Sequence, residues 1–338
     1  MKKNVFKIRP RRNIFLAISV LMGILISSVT GFGQDISQTL SNTESLFEQI
    51  KVKTVDTSYT HRWNAKNDKW ELYNREISLY KEANLLVGIL KEKWDSVTHQ
   101  WQNFDRSVKS YNEKGKLLEA LHQKWSPEQQ KWMNLRLKTY TYDKLGQRSE
   151  ILYHEWQQAA GQWFSTVRYL IDYNMHGKES EILIKVFSPA IGSWMNEKKY
   201  TFMYGDGYGK PGRALVESWN DFTESWENSG KYNMQYDYRG NKTQETRITW
   251  NKSMNKWING LRYMMDYEKK NLTSEVEQRW DFRTRAWNNA VRNLFSYDDE
   301  GEIKQMVEER WNKDVSDWET KNVFIYSDLK EIEQQMPQ

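Results

Sequence analysis

Seventeen tryptophans divide the chain into a repeat, and no other feature of the sequence limits its fold so strongly. Sixteen of them fall in pairs with six residues between: Trp63/Trp70, Trp94/Trp101, Trp125/Trp132, Trp156/Trp163, Trp219/Trp226, Trp250/Trp257, Trp280/Trp287 and Trp311/Trp318. The remaining Trp194 has Phe187 in the partner position. Units therefore begin near residues 63, 94, 125, 156, 187, 219, 250, 280 and 311, at steps of 30 to 32 residues. A fixed period of this length is the signature of a stacked repeat architecture.

Other residues keep the same phase. Seventeen residues after the first aromatic of a unit stand Tyr80, Tyr111, Tyr142, Tyr173, Tyr204 (by the same count), Tyr267 and Tyr297, with Tyr236 in step. Four or five residues later come Asn84, Gly115, Gly146, Gly177, Gly209, Gly240, Asn271 and Gly301, residue types that tolerate positive φ and so predict a tight turn. Asp143, Asp237 and Asp298 suit the start of such a turn. The intervening segments are rich in Tyr, Val, Ile, Phe and Thr and alternate as strands do. Each unit reads as a β-hairpin, and the six residues between paired tryptophans as the loop joining strands.

The predicted fold is all-β: an elongated antiparallel meander, or solenoid, of nine hairpin repeats over residues 54–338, coiled around one aromatic face. Strict alternation from Trp257 places Asn259, Leu261, Tyr263, Met265 and Tyr267 on that face, and Ile258, Gly260, Arg262, Met264 and Asp266 on a mostly polar one. Leu90, Leu121, Leu152, Leu183 and Leu215 fall beside the tryptophans by the same parity. Residues 54–63 serve as a lone return strand at the start. A single hairpin buries too little to offset the entropy of ordering it, so neighbours must stabilise one another.

Ahead of the array, Lys2, Lys3, Lys7, Arg9, Arg11 and Arg12 precede the apolar run Ile14–Val29, and Gly31-Phe32-Gly33 offers a cleavage site. Residues 1–33 read as a secretory signal peptide cleaved near Gly33, which predicts a secreted, periplasmic or outer-surface protein with no stable transmembrane segment after cleavage. Residues 34–53 form a lead-in where Ser41-Asn42-Thr43-Glu44 suggests the cap of a short helix. Six of the 50 basic side chains lie within residues 1–33, so 44 face 45 acids from Gln34 onward, a net of −1. That balance argues against nucleic acid as a partner.

The strings YTYDKLGQ, MQYDYRGN and FSYDDEGE resemble the turn core of YD-repeat (Rhs-type) proteins, whose hairpins wind into a β-shell. The whole of residues 54–327 resembles the W/YD-type repeats of proteins exported by bacteria with type IX secretion. No C-terminal sorting domain is evident after Tyr326. The resemblance implies architecture and location more than activity.

The absence of cysteine excludes disulfides and thiolate metal sites. His61, His99, His122, His154 and His176 occupy different slots with no ligand spacing, and no catalytic elbow or phosphate loop occurs. No enzyme, cofactor or metal is expected. The strands lack a clean lipid-facing band, which disfavours a membrane barrel. The leading expectation is a non-enzymatic scaffold for surface or periplasmic interaction or adhesion, its partner a protein or a glycan. The alternative is a carbohydrate-binding module in which tryptophans stack on sugar rings beside a recurring asparagine. Its contact residues would be Trp101, Asn103, Trp132, Asn134, Trp226, Asn228, Trp257, Asn259, Trp287 and Asn289. The competing reading of this stripe is an aromatic core with an asparagine ladder that holds the units in register.

Overall fold

A computed structural model describes residues 3–7, 54–64, 69–81, 85–205, 209–299, 301 and 303–325. The expected helix within 34–53, the cleavage site and Tyr326 lie outside these residues. Lys3–Lys7 is β1. The tryptophan hairpins follow in chain order: β2–β3 (Thr54–Asn64, Lys69–Tyr80), β4–β5 (Leu86–Asp95, Gln100–Tyr111), β6–β7 (Leu117–Ser126, Lys131–Tyr142), β8–β9 (Arg148–Gln157, Gln162–Tyr173) and β10–β11 (Glu179–Ser188, Ser193–Tyr204). The series continues with β12–β13 (Pro211–Asn220, Ser225–Tyr236), β14–β15 (Lys242–Asn251, Lys256–Glu268), β16–β17 (Asn271–Asp281, Ala286–Tyr297) and β18–β19 (Ile303–Asn312, Asp317–Ile325). There is no helix among the described residues.

From β2 to β19 every strand pairs antiparallel with its sequence neighbours, as the all-β meander reading requires. The two ends of the meander do not pair with each other among the described residues. β1 stands beside both, parallel to β19 and antiparallel to β2.

Both kinds of turn are built by short polar side chains. At the glycine turns Asn112, Asn174 and Asp237 each accept two backbone N–H bonds from residues two and four further on. The turn glycines sit at φ 67° to 83°. Asn271 departs from the expectation: it lies in the ladder opposite Glu268, and Lys269 takes the positive φ of 57°. The loop there has two residues, so the left-handed position moves forward.

The tryptophan loops carry a second left-handed position that the glycine pattern does not reveal. It falls two residues before the second aromatic, at His99, Gln130, Gly161, Gly192, Glu224, Asn255, Arg285 and Ser316, with φ 47° to 64°. Asp95 holds the loop shape by accepting from Val97 N–H at 2.8 Å and Thr98 N–H at 3.3 Å. Those bonds hold its carboxyl below the ordinary aspartate range. Asn220 and Asp281 accept equivalent bonds.

The strict alternation expected along the outgoing strand does not hold. Three residues after the second aromatic, the register slips by one in every hairpin. In β15, Asn259 pairs with Ile248 and Leu261 with Arg247, which leaves Gly260 opposite no residue. The same slot holds Phe104, Leu135, Thr166, Glu197, Ser229, Ala290 and Lys321 in other hairpins. A bulge adds one residue to one strand, so side-chain parity reverses beyond it. Arg262 thus shares the tryptophan face, and Tyr263, Met265 and Tyr267 lie on the opposite one.

The aromatic residues therefore serve two faces. On the tryptophan face Val108, Leu121, Leu137 and Trp163 form a buried cluster with Trp156 against it, so the aliphatic residues four before each first aromatic do lie beside the tryptophans. On the other face Tyr169, Ile184, Tyr200 and Val216 are buried with Tyr153 and Tyr232 packed around them. Tyr59 and Trp101, three strands apart, have ring centres 5.9 Å apart. Flat strands would separate them by about 14 Å, so the sheet bends toward its tryptophan face there.

Candidate functional site

Each tryptophan pair sits directly across its hairpin, as in Trp250↔Trp257 and Trp280↔Trp287. From Trp94/Trp101 to Trp311/Trp318 the ring centres lie 5.0 to 5.2 Å apart at 62° to 73°, edge against face. Phe187 and Trp194 keep the arrangement at 5.5 Å and 71°. This geometry brings the positive ring edge to the negative face of its neighbour.

Twelve residues after the first aromatic of the first eight units, the bulge brings Arg75, Arg106, Leu137, Arg168, Lys199, Lys231, Arg262 and Arg292 onto the tryptophan face. Six of the cations reach the second tryptophan of the next unit: Arg75 lies 4.8 Å from the Trp101 ring centre, Arg106 4.6 Å from Trp132, Lys231 4.3 Å from Trp257, Arg262 4.7 Å from Trp287 and Arg292 4.7 Å from Trp318. Lys199 lies 5.0 Å from Trp226. A cation over an indole is attracted by the ring quadrupole. Leu137 replaces the charge with an apolar contact and is fully buried against Trp163.

Opposite Arg75, Arg106, Lys199, Arg262 and Arg292 a polar residue completes the stripe, while Lys231 faces Ile248. Arg106 Nε donates to Gln123 Oε1 at 2.7 Å, and Gln123 Nε2 donates to Asn134 Oδ1 at 2.8 Å. Arg262, Gln278 and Asn289 repeat the chain at 2.7 and 2.8 Å. Arg75 pairs with Glu92, Lys199 with Glu217 at 2.7 Å, and Arg292 with Glu309 at 2.5 Å. In the unit with Leu137 the slot holds His154, buried, whose Nδ1 lies 3.0 Å from Ser165 Oγ and Nε2 3.2 Å from Thr139 Oγ1. Burial pushes this imidazole down to about 4, with Glu150 opposing weakly.

Two further ladders join the strands. Tyr111, Tyr142, Tyr173, Tyr204, Tyr236 and Tyr297 each donate from the phenol to the carbonyl 25 residues earlier, at 2.6 to 3.1 Å, closing the open end of their tryptophan hairpins. Burial raises the Tyr236 phenol to about 12. At the glycine turns Lys116 donates to Gly146 O at 2.5 Å, Gln147 to Gly177 O at 2.9 Å and Lys210 to Gly240 O at 2.5 Å, each reaching the next turn.

The residues proposed for sugar contact therefore lie together on one face in successive units. Trp101, Trp132, Trp226, Trp257 and Trp287 are half-buried, each with a cation over one ring face and its partner aromatic at an edge. Asn134 and Asn289 accept from glutamines, while Asn103, Asn228 and Asn259 stand opposite Glu92, Glu217 and Ile248. Asn228 is exposed and lines an open groove with Trp219, Asn220, Phe222, Glu227 and Lys252. Parity counting missed the cation slot. Its signal is present in the sequence as a basic residue in seven of nine positions at one phase.

The comparisons with known proteins add little. No protein-family model matches the chain, and no curated protein matches it in sequence. Among solved structures, a protein of unknown function from Bacteroides fragilis is 19% identical with a TM-score of 0.32, covering 37% of this chain and 91% of that one. A porin-like protein from Bacteroides uniformis is 11% identical with a TM-score of 0.33, covering 81% and 92%. The Photorhabdus luminescens Tc holotoxin pore is 11% identical with a TM-score of 0.27, covering 78% of this chain and 14% of its own. At these scores the likeness assigns no family.

Proposed function

We propose that the protein is an exported, non-enzymatic interaction scaffold of the W/YD type, released from its leader near Gly33 and acting in the periplasm or at the cell surface. One observation carries this reading: the repeated side chains hold strands and units to one another, while the loop tips vary and present apolar groups to solvent. Val97, Ile191, Phe222, Met254, Phe282 and Val315 stand at the tips of six of the tryptophan loops, 56% to 96% exposed. Rigid frames with variable loops are the usual way to display binding groups.

The test combines localisation with loop chemistry. N-terminal sequencing of the protein from a periplasmic or surface fraction is expected to begin near Gln34. Replacing Phe222, Met254 and Phe282 together by serine is expected to abolish crosslinked partners in intact cells without lowering the melting temperature. Cytoplasmic protein with an intact leader, or unchanged crosslinks in the triple variant, would contradict the proposal. The glycan reading of the Trp–Asn stripe keeps a specific support in Trp194, which like Trp163 has no cation over it among the described residues but whose unit, unlike that of Trp163, retains the asparagine, Asn196.

A further inference from the structure

The unit around Trp194 breaks the charge rule of the stripe. In the other units the cation on the outgoing strand faces glutamate, glutamine or an apolar residue. Arg168 faces Lys185 instead. Like charges directly opposite in a ladder repel. Arg168 turns away to the preceding strand, donating from Nε to Glu150 Oε1 at 2.6 Å and from Nη2 to Oε2 at 3.1 Å.

Two consequences follow. Among the described residues Trp194 lacks the cation that lies over Trp101, Trp132, Trp226, Trp257, Trp287 and Trp318, as does Trp163, against which Leu137 is buried instead. Lys185 has no acidic partner among them, and it lies two residues before Phe187 on the face of the Phe187–Trp194 pair, with Asn196 opposite it. Glu181 and Asp172 share that face but sit four residues along each strand, toward the turn, about 13 Å away. Lys199 on β11 is already neutralised by Glu217. The slot thus combines an uncompensated half-buried ammonium, an amide and an indole without a capping cation.

We infer that Lys185, Asn196 and Trp194 form a subsite for an anionic polysaccharide, the ammonium taking a carboxylate or sulfate substituent while the indole stacks on the sugar ring that bears it. An indole gives the apolar C–H face of a pyranose a partner, and a point cation suits an oxyanion without demanding fork geometry. The inference goes beyond the scaffold reading, because a scaffold lacking this slot would still dock proteins through its loops.

The decisive variant is Lys185→Glu, which recreates the opposed charges seen at Arg292–Glu309. Affinity electrophoresis of the full chain in gels with polygalacturonate, dextran sulfate or neutral dextran reads the binding. The wild type is expected to be retarded by one or both anionic polymers, less so as salt rises, and the more effective one names the substituent. Lys185→Glu should weaken retardation about tenfold or more while its melting temperature holds or rises. Lys185→Gln gives the same loss should the glutamate variant fail to fold. No retardation of the wild type, equal retardation by neutral dextran, equal retardation by poly-L-glutamate, or binding unaltered in the Lys185 variants would overturn the inference.

Discussion

The guanidinium of Arg262 lies 4.7 Å from the centre of the Trp287 ring, two strands and one unit further along the sheet, and donates on the way to Gln278. Loss of both contacts in Arg262→Ala is expected to destabilise the protein by about 2 kcal/mol. Lysine keeps the charge but not the fork, so Arg262→Lys should cost about half as much. A double-mutant cycle with Trp287→Leu is expected to give a coupling near 1 kcal/mol. Additive effects in chemical denaturation would contradict the contact.

The bulge makes chain length more sensitive than side-chain chemistry at one position. Leu135 occupies the bulge of β7 and is 41% exposed. Leu135→Ser is expected to change stability by less than about 1 kcal/mol. Inserting a serine between Arg136 and Leu137 moves every later residue of the strand to the other face and takes Leu137 out of its buried cluster. The insertion should cost several times as much and lower the unfolding midpoint in urea well below that of the substitution.

Non-glycine residues at the left-handed position of the tryptophan loops store about 1 kcal/mol each. Gln130→Gly is expected to stabilise slightly, the gain being trimmed by glycine's extra freedom in the unfolded chain. Gly161→Val, which places a β-branched residue at φ 62°, should destabilise by about 1–2 kcal/mol. Thermal melts of the two variants should move in opposite directions.

Acid acts on the centre of the array through His154. Its imidazole titrates near 6.5 when unfolded and about 4 in the folded protein, so between these values the unfolded chain holds more protons. Stability is therefore insensitive to this group above pH 6.5 and falls as pH drops toward 4, by about 3 kcal/mol. His154→Gln, the residue type found at Gln123 and Gln278, should flatten that limb of the stability–pH curve. An unchanged slope between pH 6.5 and 4 would remove His154 as its source.

The period, the hairpins and the glycine turns were legible because they rest on residues whose chemistry is uniform: indoles seven apart and glycines at positive φ. The two-faced arrangement was not, since parity counting assumes an uninterrupted pleat and the slot occupied by Phe104, Leu135, Thr166 or Gly260 has no common chemistry to announce a bulge. The left-handed loop position was hidden likewise, only Gly161 and Gly192 being glycines among the eight. The asparagine stripe was visible in sequence, but its partners Gln123 and Gln278 were not, because their slot two residues before the first aromatic changes chemistry from unit to unit, holding Glu92, His154, Lys185 or Ile248 elsewhere.

Units held together through cation and indole should transmit a local loss to the next unit. Amide hydrogen exchange on Arg262→Ala measures this directly. Protection is expected to fall in β17 around Trp287, from Asn288 to Arg292, as much as in β15 itself. Loss confined to β15 and the strands paired directly with it, with β17 unaffected, would contradict the account.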